Sequence, residues 1–455
     1  MDRPRYRAPK PLGSWPRLPG PLMWLLFATV AEAQRPNVVL IITDDVGYGD
    51  LSSYGAPDLR TPNIDRLGRE GVRLTDFYAN APSCTPTRAA LISGRYQQRY
   101  RLEGPLSGPS TASAEVGLPA TGRTLPQLLK NGGYATGLIG KWHLGYKPEF
   151  SPSAHGFDYF FGFKSGYIDY YQHTGGDGRP DLFENATPVE VPGYMTDLTT
   201  ERSIRFVEQN ARRPFFLEVA YGAGHWPYQP PDRPSTARDN ARHLVPHDDD
   251  PGTRADYVAM MERADRGVGE ILATLDRLGL ATNTLVIFTN DNGGEWLARA
   301  TPLFNRKFTL WEGGIRVPAL LRWPGRIPAG QVSGQVGITM DLTASILAAT
   351  GVSIPPETRL DGIDLIPILA GRTPEVERTL YWRTNFAGIS QRAVRMGDWK
   401  LLVEGGNLEH VFDVRRDLSE RTDLAGTRTD LAKRLRALLI AWEATVDAEA
   451  KALQR

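Results

Sequence analysis

Four apolar runs along the chain break off into clusters of polar residues. The first, Val38 to Ile42, is continuous and β-branched, and it stops at Asp44 and Asp45. YATGLIG runs into Lys141, Trp142 and His143; PFFLEVAYG runs into Gly224 and His225; TLVIFT runs into Asn290, Asp291, Asn292 and two glycines. An apolar run without alternation predicts a strand buried on both faces, as in a parallel sheet. Between these runs lie stretches of helical periodicity, TPNIDRLGREG, TLPQLLKNGG and DYVAMMERADRGVGEILATLDRLG, the last closing on a glycine. Strand alternating with helix predicts an α/β fold: a large, mostly parallel, doubly wound sheet flanked by helices. Ligands of such sheets sit beyond the carboxyl ends of the strands, so the four polar clusters are expected along one edge. One charged doublet after a strand is ordinarily a turn or a cap. Four that converge point to a site.

The texture changes near residue 370. RTLYWRT, QRAVRMGDWKLLVE and HVFDV alternate as short antiparallel strands do, and residues 428–453 form an amphipathic helical stretch. Residues 371–455 are therefore expected to make a smaller α+β domain after a catalytic domain of residues 34–370. Two irregular stretches interrupt the pattern, 148–200, which is aromatic, and 222–256, rich in Pro, Asp and His. Loops of that length shape binding sites or stay unstructured. The rings from Tyr159 to Tyr171 serve either the core or stacking on a sugar or aryl ring.

At the amino terminus a basic stretch precedes an apolar run from Leu22 to Val30 and then Ala31-Glu32-Ala33. This reads as a cleaved signal peptide, residues 1–33. The run is well short of the ~20 residues that span a bilayer, so a secreted or periplasmic protein with no stable membrane span is expected. Lys and Arg number 53 and Asp and Glu 52, for a net charge of +1. No broad basic face for nucleic acid follows from that balance, and a terminal anionic group suits it better than a long polyanion. Export makes the single cysteine of the chain informative: Cys84 has no internal partner, so it is either a small buried apolar residue or chemically active.

Asp44, Asp45, Asp291 and Asn292 are hard oxygen donors, suited to Ca²⁺ or Mg²⁺ rather than zinc. Pro86 fits the first turn of a helix that ALISGRY continues and Gly94 ends. Cys84 then lies at a helix N-terminus, where free N–H groups attract an anion, with Arg88 one turn in.

Cys84-Thr85-Pro86-Thr87-Arg88, followed by Leu91 and Ser93-Gly94-Arg95, resembles the signature of the type I sulfatases of the alkaline phosphatase superfamily. DDVGYGD, TPNIDRLGREGVRLTDFYANAPSC, GKWHLG, GHWP, NDNGG, KFTLWEGGIRVPALLRWPG and VFDVRRDLSERTDLA resemble further blocks of that family, in order and along nearly the whole mature chain. Two positions depart. Ser93 replaces a commoner threonine, and Phe308 follows Lys307 where glycine is usual, which predicts a locally different backbone. The resemblance implies hydrolysis of sulfate monoesters, either aryl sulfates or the terminal sulfate of a sugar. It implies that a formylglycine-generating or sulfatase-maturing enzyme oxidises Cys84 to Cα-formylglycine. It also implies one divalent cation, calcium ahead of magnesium, on residue 84, Asp44, Asp45, Asp291 and Asn292. One hydroxyl of the hydrated aldehyde attacks sulfur and expels the alcohol; deprotonation of the other ejects sulfate and restores the aldehyde. Arg88 and Lys141 would hold the hydrate and His143 would be the base of the elimination. Lys141, His225 and Lys307 would bind the sulfate and assist the leaving oxygen, and Ser165 would orient the diol. A phosphonate monoester or phosphodiester hydrolase of the same superfamily shares this nucleophile and is the nearest rival. A two-zinc phosphatase asks for more histidines at strand ends than this chain offers. A non-catalytic sulfoglycan binder would lack the cysteine or a metal ligand, and none is missing.

Overall fold

The apolar run at Val38 becomes strand β1 (Asn37–Thr43), buried at every residue in the middle of a ten-stranded sheet. The structure, a computed structural model, describes residues 35–234, 252–386 and 388–453 together with a few near the amino terminus. The expected signal-peptide run and part of the irregular stretch 222–256 lie outside the described residues. After β1 come β2 (Val72–Leu74), β3 (Phe77–Tyr78), β4 (Ala135–Lys141), β5 (Tyr159–Phe163), β6 (Phe183–Glu184), β7 (Thr187–Pro188) and β8 (Phe215–Ala220). They are followed by β9 (Thr284–Asn290), β10 (Ala319–Arg322), β11 (Gln331–Ser333) and β12 (Gly337–Ile338). The last four are β13 (Thr379–Phe386), β14 (Ile389–Met396), β15 (Trp399–Glu404) and β16 (Leu408–Asp413).

The large sheet has the order β11-β2-β10-β9-β1-β8-β4-β5-β6-β7. Its centre, β9-β1-β8-β4-β5, is parallel throughout, while β10 runs antiparallel to β9 and to β2. The register aligns the ends of the four strands read from the sequence. Thr43 sits opposite Asn290, Ile42 opposite Ala220, and Ala220 opposite Gly140. Asp44, Asp291 and Lys141 each follow directly, in one row. Gly140 has φ +113°, and a Cβ there would meet the Ala220 carbonyl oxygen at 1.9 Å, so only glycine lets β4 close on β8 just before Lys141.

Part of the aromatic stretch expected to be loop is strand. Tyr159–Phe163 pairs in parallel with Gly137–Lys141, because Phe160, Phe161 and Phe163 find apolar cover on both faces of the sheet. Alternate residues of β1 feed two cores, as a pleated strand requires. Val38, Leu40 and Ile42 pack in one with Leu91 of helix Cys84–Ser93 and Leu342 of helix Thr339–Thr350. Val39 and Ile41 pack in the other with helices Met195–Asn210 and Arg254–Arg277. The chain thus folds as a large, mostly parallel α/β sheet with flanking helices.

Beyond residue 378 the alternating segments form the antiparallel sheet β13-β14-β15-β16, backed by helix Thr429–Ala452. This sheet belongs to the same compact unit as the large one, Arg35–Arg455. A third core joins Tyr78, Ala90 and Met340 to Trp382, Val394 and Leu439. Charge is buried with it. Lys400 Nζ lies 2.9 Å from Glu312 Oε1 and 2.8 Å from Glu420 Oε1, all fully shielded at the side chain. Tyr78 donates its hydroxyl to Glu312 Oε2 at 2.6 Å, and Arg316 Nη1 donates to the same oxygen at 3.2 Å. Burial works to raise the Glu312 carboxyl, but Lys400 and Arg316 outweigh it and bring its pKa down to about 2. Glu312→Ala is expected to cost about 3–5 kcal/mol, since it leaves Lys400 and Arg316 buried without that carboxylate. The loss should be read as a lower urea midpoint; a midpoint equal to that of the wild type would refute it.

Candidate active site

Helix Cys84–Ser93 is buried at every residue. Ser83 precedes it in extended backbone, φ −159°, and Gly94 ends it at φ +67° with its N–H on the Ala90 carbonyl at 2.9 Å. The two threonines of C-T-P-T-R pin its first turn. Thr85 Oγ1 donates to the His143 carbonyl at 2.9 Å, and Thr87 Oγ1 donates to the Ala81 carbonyl at 3.0 Å. Cys84 is therefore held against the end of β4, beyond the carboxyl edge of the sheet. Burial pushes its thiol up to about 12 against the pull of Lys141 and Lys307, so an unmodified Cys84 is protonated and a poor nucleophile at neutral pH.

Around it three carboxylates meet three cations. Asp44 Oδ2 accepts from Lys141 Nζ at 2.5 Å. Asp45 Oδ2 accepts from Lys307 Nζ at 2.6 Å. Asp291 Oδ2 accepts from Arg88 Nε at 3.0 Å, and Arg88 Nη2 lies 2.9 Å from it. Burial works to raise the Asp45 carboxyl, yet Lys307 and His225 outweigh it and hold it well below the usual range. Asp44 goes the other way: burial and the nearby Asp291 raise it well above the ordinary value despite Lys141. Burial works against the Lys307 ammonium, but Asp45 and Glu295 keep its pKa well above the ordinary value. Glu295, whose Oε2 lies 3.4 Å from Lys307 Nζ, was not singled out in the sequence. Its one signal there is adjacency to NDNGG.

The same cluster has room for a cation. Oδ1 of Asp44 and Oδ1 of Asn292 are buried and find no hydrogen-bond partner among the described residues, while Asn292 Nδ2 donates to Asp45 Oδ1 at 2.7 Å. Potential ligand atoms of Asp44, Asp45, Cys84 and His225 all lie within 4.8 Å of one another. His225 Nδ1 is 2.6 Å from the Trp226 carbonyl, which only accepts, so in the neutral ring Nε2 keeps its lone pair. Nε2 lies 3.4 Å from Asp45 Oδ2, a contact that either a proton on Nε2 or a bound cation satisfies. His225 thus stands closer to the carboxylates than a purely sulfate-binding assignment requires. Asp291 is anchored instead by Arg88 and by the Asp45 N–H, at 3.4 Å from its Oδ1.

His143 Nε2 donates to the Leu106 carbonyl at 2.9 Å, which leaves Nδ1 as the atom with a free lone pair, buried and without a partner among the described residues. Burial and then Lys141 press the pKa of His143 well below the ordinary histidine value; burial does the same to His225. A cavity of about 510 Å³ opens over Cys84, and His143, Ser165, His225 and Lys307 border it. Ser165 is fixed there by its N–H on Asp181 Oδ2 at 2.8 Å. Of the aromatic stretch, Phe160, Phe161, Phe163 and Tyr170 went to the core, while Tyr167 borders the cavity and stacks on His225 at 5.8 Å.

Phe308 adopts φ +70°, the conformation glycine favours, and its N–H bonds the Pro82 carbonyl at 2.8 Å. A side chain in this region costs about 1–2 kcal/mol. Asp45, at φ +59°, and His143, at φ +58°, carry the same strain beside it.

A sequence model of the Sulfatase family matches residues 36–352, and one described as N-sulphoglucosamine sulphohydrolase, C-terminal, matches residues 301–443. The N-acetylgalactosamine-6-sulfatase of Homo sapiens is 34% identical over 393 residues, 81% of this chain and 71% of the relative. The arylsulfatase A of Bos taurus is 36% identical over 409 residues, 82% of this chain and 76% of the relative. Among solved structures, Ps i-CgsB in complex with k-i-k-neocarrahexaose superposes with a TM-score of 0.79 at 31% identity, covering 90% of this chain and 93% of that one.

A third buried histidine, His155, rests against Trp142 with ring centroids 5.3 Å apart and contacts the Leu118 carbonyl through Nε2 at 3.1 Å. Burial lowers its pKa from 6.5 to about 4. Below pH 6.5 the unfolded chain takes up a proton at this residue that the fold refuses, so its contribution is complete above pH 6.5 and lost as pH falls toward 4. His155→Gln keeps an amide nitrogen for Leu118. It is expected to shrink the loss of unfolding free energy between pH 7 and 4.5 by roughly 2–3 kcal/mol. An unchanged slope in urea titrations would contradict this.

Proposed function

The chain belongs to the sulfatase family and hydrolyses sulfate esters, and from that premise we propose that Cys84, converted to Cα-formylglycine, works beside a divalent cation held by Asp44, Asp45, Asp291 and Asn292. The observation that supports this most directly is the meeting of the lone cysteine with Asp44, Asp45 and His225, ligand atoms within 4.8 Å of one another. The unpartnered oxygens of Asp44 and Asn292 and the hard character of the donors suit calcium or magnesium rather than zinc, and the family resemblance puts calcium first. The cation supplies positive charge that activates a hydroxyl and draws charge from a sulfate oxygen. A hydrated aldehyde at residue 84 offers two hydroxyls on one carbon, one to take the sulfuryl group and one whose deprotonation releases it.

The remaining roles fall to groups fixed by their partners. His143, held through Nε2 on Leu106, receives the proton of the elimination at Nδ1. Lys141 and Arg88 balance Asp44 and Asp291 and hold the hydrate in place. Lys307 presents its ammonium, and His225 its ring, to the sulfate and the leaving oxygen. Ser165 orients the diol from the cavity wall. A cavity of about 510 Å³ suits a terminal ring rather than a polymer threaded through. The substrate is accordingly a small or terminal sulfate ester. The names of the relatives, one a sugar sulfatase and one an arylsulfatase, keep both aryl and sugar esters in view. A maturing enzyme acts on Cys84, and residues 1–33 direct export. No helix among the described residues is long and apolar enough to cross a membrane.

Mass spectrometry of the peptide containing residue 84, from the natural host, is expected to show the aldehyde; an intact thiol in active enzyme would overturn the mechanism. The matured protein should hydrolyse 4-nitrophenyl sulfate faster than bis(4-nitrophenyl) phosphate, and the reverse order would move it to the phosphodiester hydrolases. Asp291→Ala and Asn292→Ala are each expected to weaken calcium binding, followed by calorimetry, and to lower kcat at least about 100-fold. Calcium affinity equal to that of the wild type would refute the ligand set.

A further inference from the structure

Phe308 is the residue beside the site whose presence the fold does not explain. Glycine would take its φ of +70° without strain, and a large side chain stands there instead. Its main chain is tied by the N–H on Pro82, two residues before Cys84, which fixes its backbone relative to residue 84. The ring is half-buried, lies 5.3 Å from Phe386 at an interplanar angle of 34°, and borders the cavity over Cys84 together with it. Lys307 Nζ, the ammonium paired with Asp45, is 5.1 Å from the centre of the same ring. Phe386 arrives from the far end of β13, so two remote parts of the chain build one apolar wall next to the sulfate-binding lysine. Strain retained at a ligand-binding position points to use.

We infer that Phe308 and Phe386 form a stacking platform that selects sulfate esters in which the sulfate is borne on, or one carbon from, a ring with an apolar face. This rests on the sulfatase reading above and names the substrate class of that site. A flat ring, whether aryl or the C–H face of a pyranose, lies on the wall and brings its ester oxygen toward Lys307. An acyclic alkyl sulfate reaches the same sulfate-binding groups and gains no such contact.

The test compares matured wild type, Phe308→Gly, Phe308→Ala, Phe308→Tyr and Phe386→Ala on 4-nitrophenyl sulfate, galactose 6-sulfate and hexyl sulfate. Phe308→Gly relieves the backbone strain and guards against misfolding. Phe308→Gly, Phe308→Ala and Phe386→Ala are expected to lower kcat/KM for the ring-bearing esters about tenfold more than for hexyl sulfate, ~1.4 kcal/mol, mainly through KM. Phe308→Tyr keeps the discrimination. A greater loss on the nitrophenyl ester assigns the platform to aryl rings, and a greater loss on the galactose ester to sugars. Equal losses on all three esters, or none, overturn the inference. If the wild type cleaves only phosphate diesters, the sulfatase reading fails instead, and phenyl against alkyl phosphodiesters then test the platform by the same ratio.

Discussion

Burying three carboxylates at one edge of a sheet is tolerable only because three cations are buried with them. An isolated ion taken out of water costs several kcal/mol even after the protein relaxes. Lys141, Lys307 and Arg88 stand 2.5 to 3.0 Å from Asp44, Asp45 and Asp291 and offset that cost, more than fully at Asp45 and only in part at Asp44. The partners come from unrelated places: the end of β4, a loop after β9, and the helix that begins at Cys84. Each ion pair is therefore also a long-range constraint, and together they fix strand, loop and helix around one point. Most of the remaining geometry follows, including the burial of helix Cys84–Ser93 on all sides.

The centre of the sheet was legible because β1, β4, β8 and β9 are buried on both faces and leave an uninterrupted apolar signal. The limits of the helix at Cys84 were legible too, through Pro86 and Gly94. Strand β5 was not, since FFGF among tyrosines and glycines has neither the alternation nor the length that marks a strand. The outer strands, some of two residues, carry no pattern at all. At the site, the motifs named the residues but not their partners. That Lys141 pairs with Asp44, 97 positions away, is a product of register. Nothing near Phe386 or Glu295 advertises a role, because their position depends on how distant segments come together.

Positive φ angles at Asp45, His143 and Phe308 share a cause. Each follows a point where the chain must leave a strand or turn sharply while its side chain stays aimed at the site. Direction is bought with backbone strain, which the dense surrounding packing absorbs.

The closure of helix Cys84–Ser93 also sets an order of events during synthesis. Its neighbours include Trp382, which shares a core with Ala90 and donates its indole N–H to the Ala79 carbonyl at 2.8 Å. Residue 84 leaves the ribosome roughly three hundred positions before that tryptophan. The finished fold leaves Cys84 only 2% exposed, out of reach of a partner of protein size. Oxidation of this residue by a maturing enzyme, as proposed above, would therefore have to precede the closure of the sheet over it.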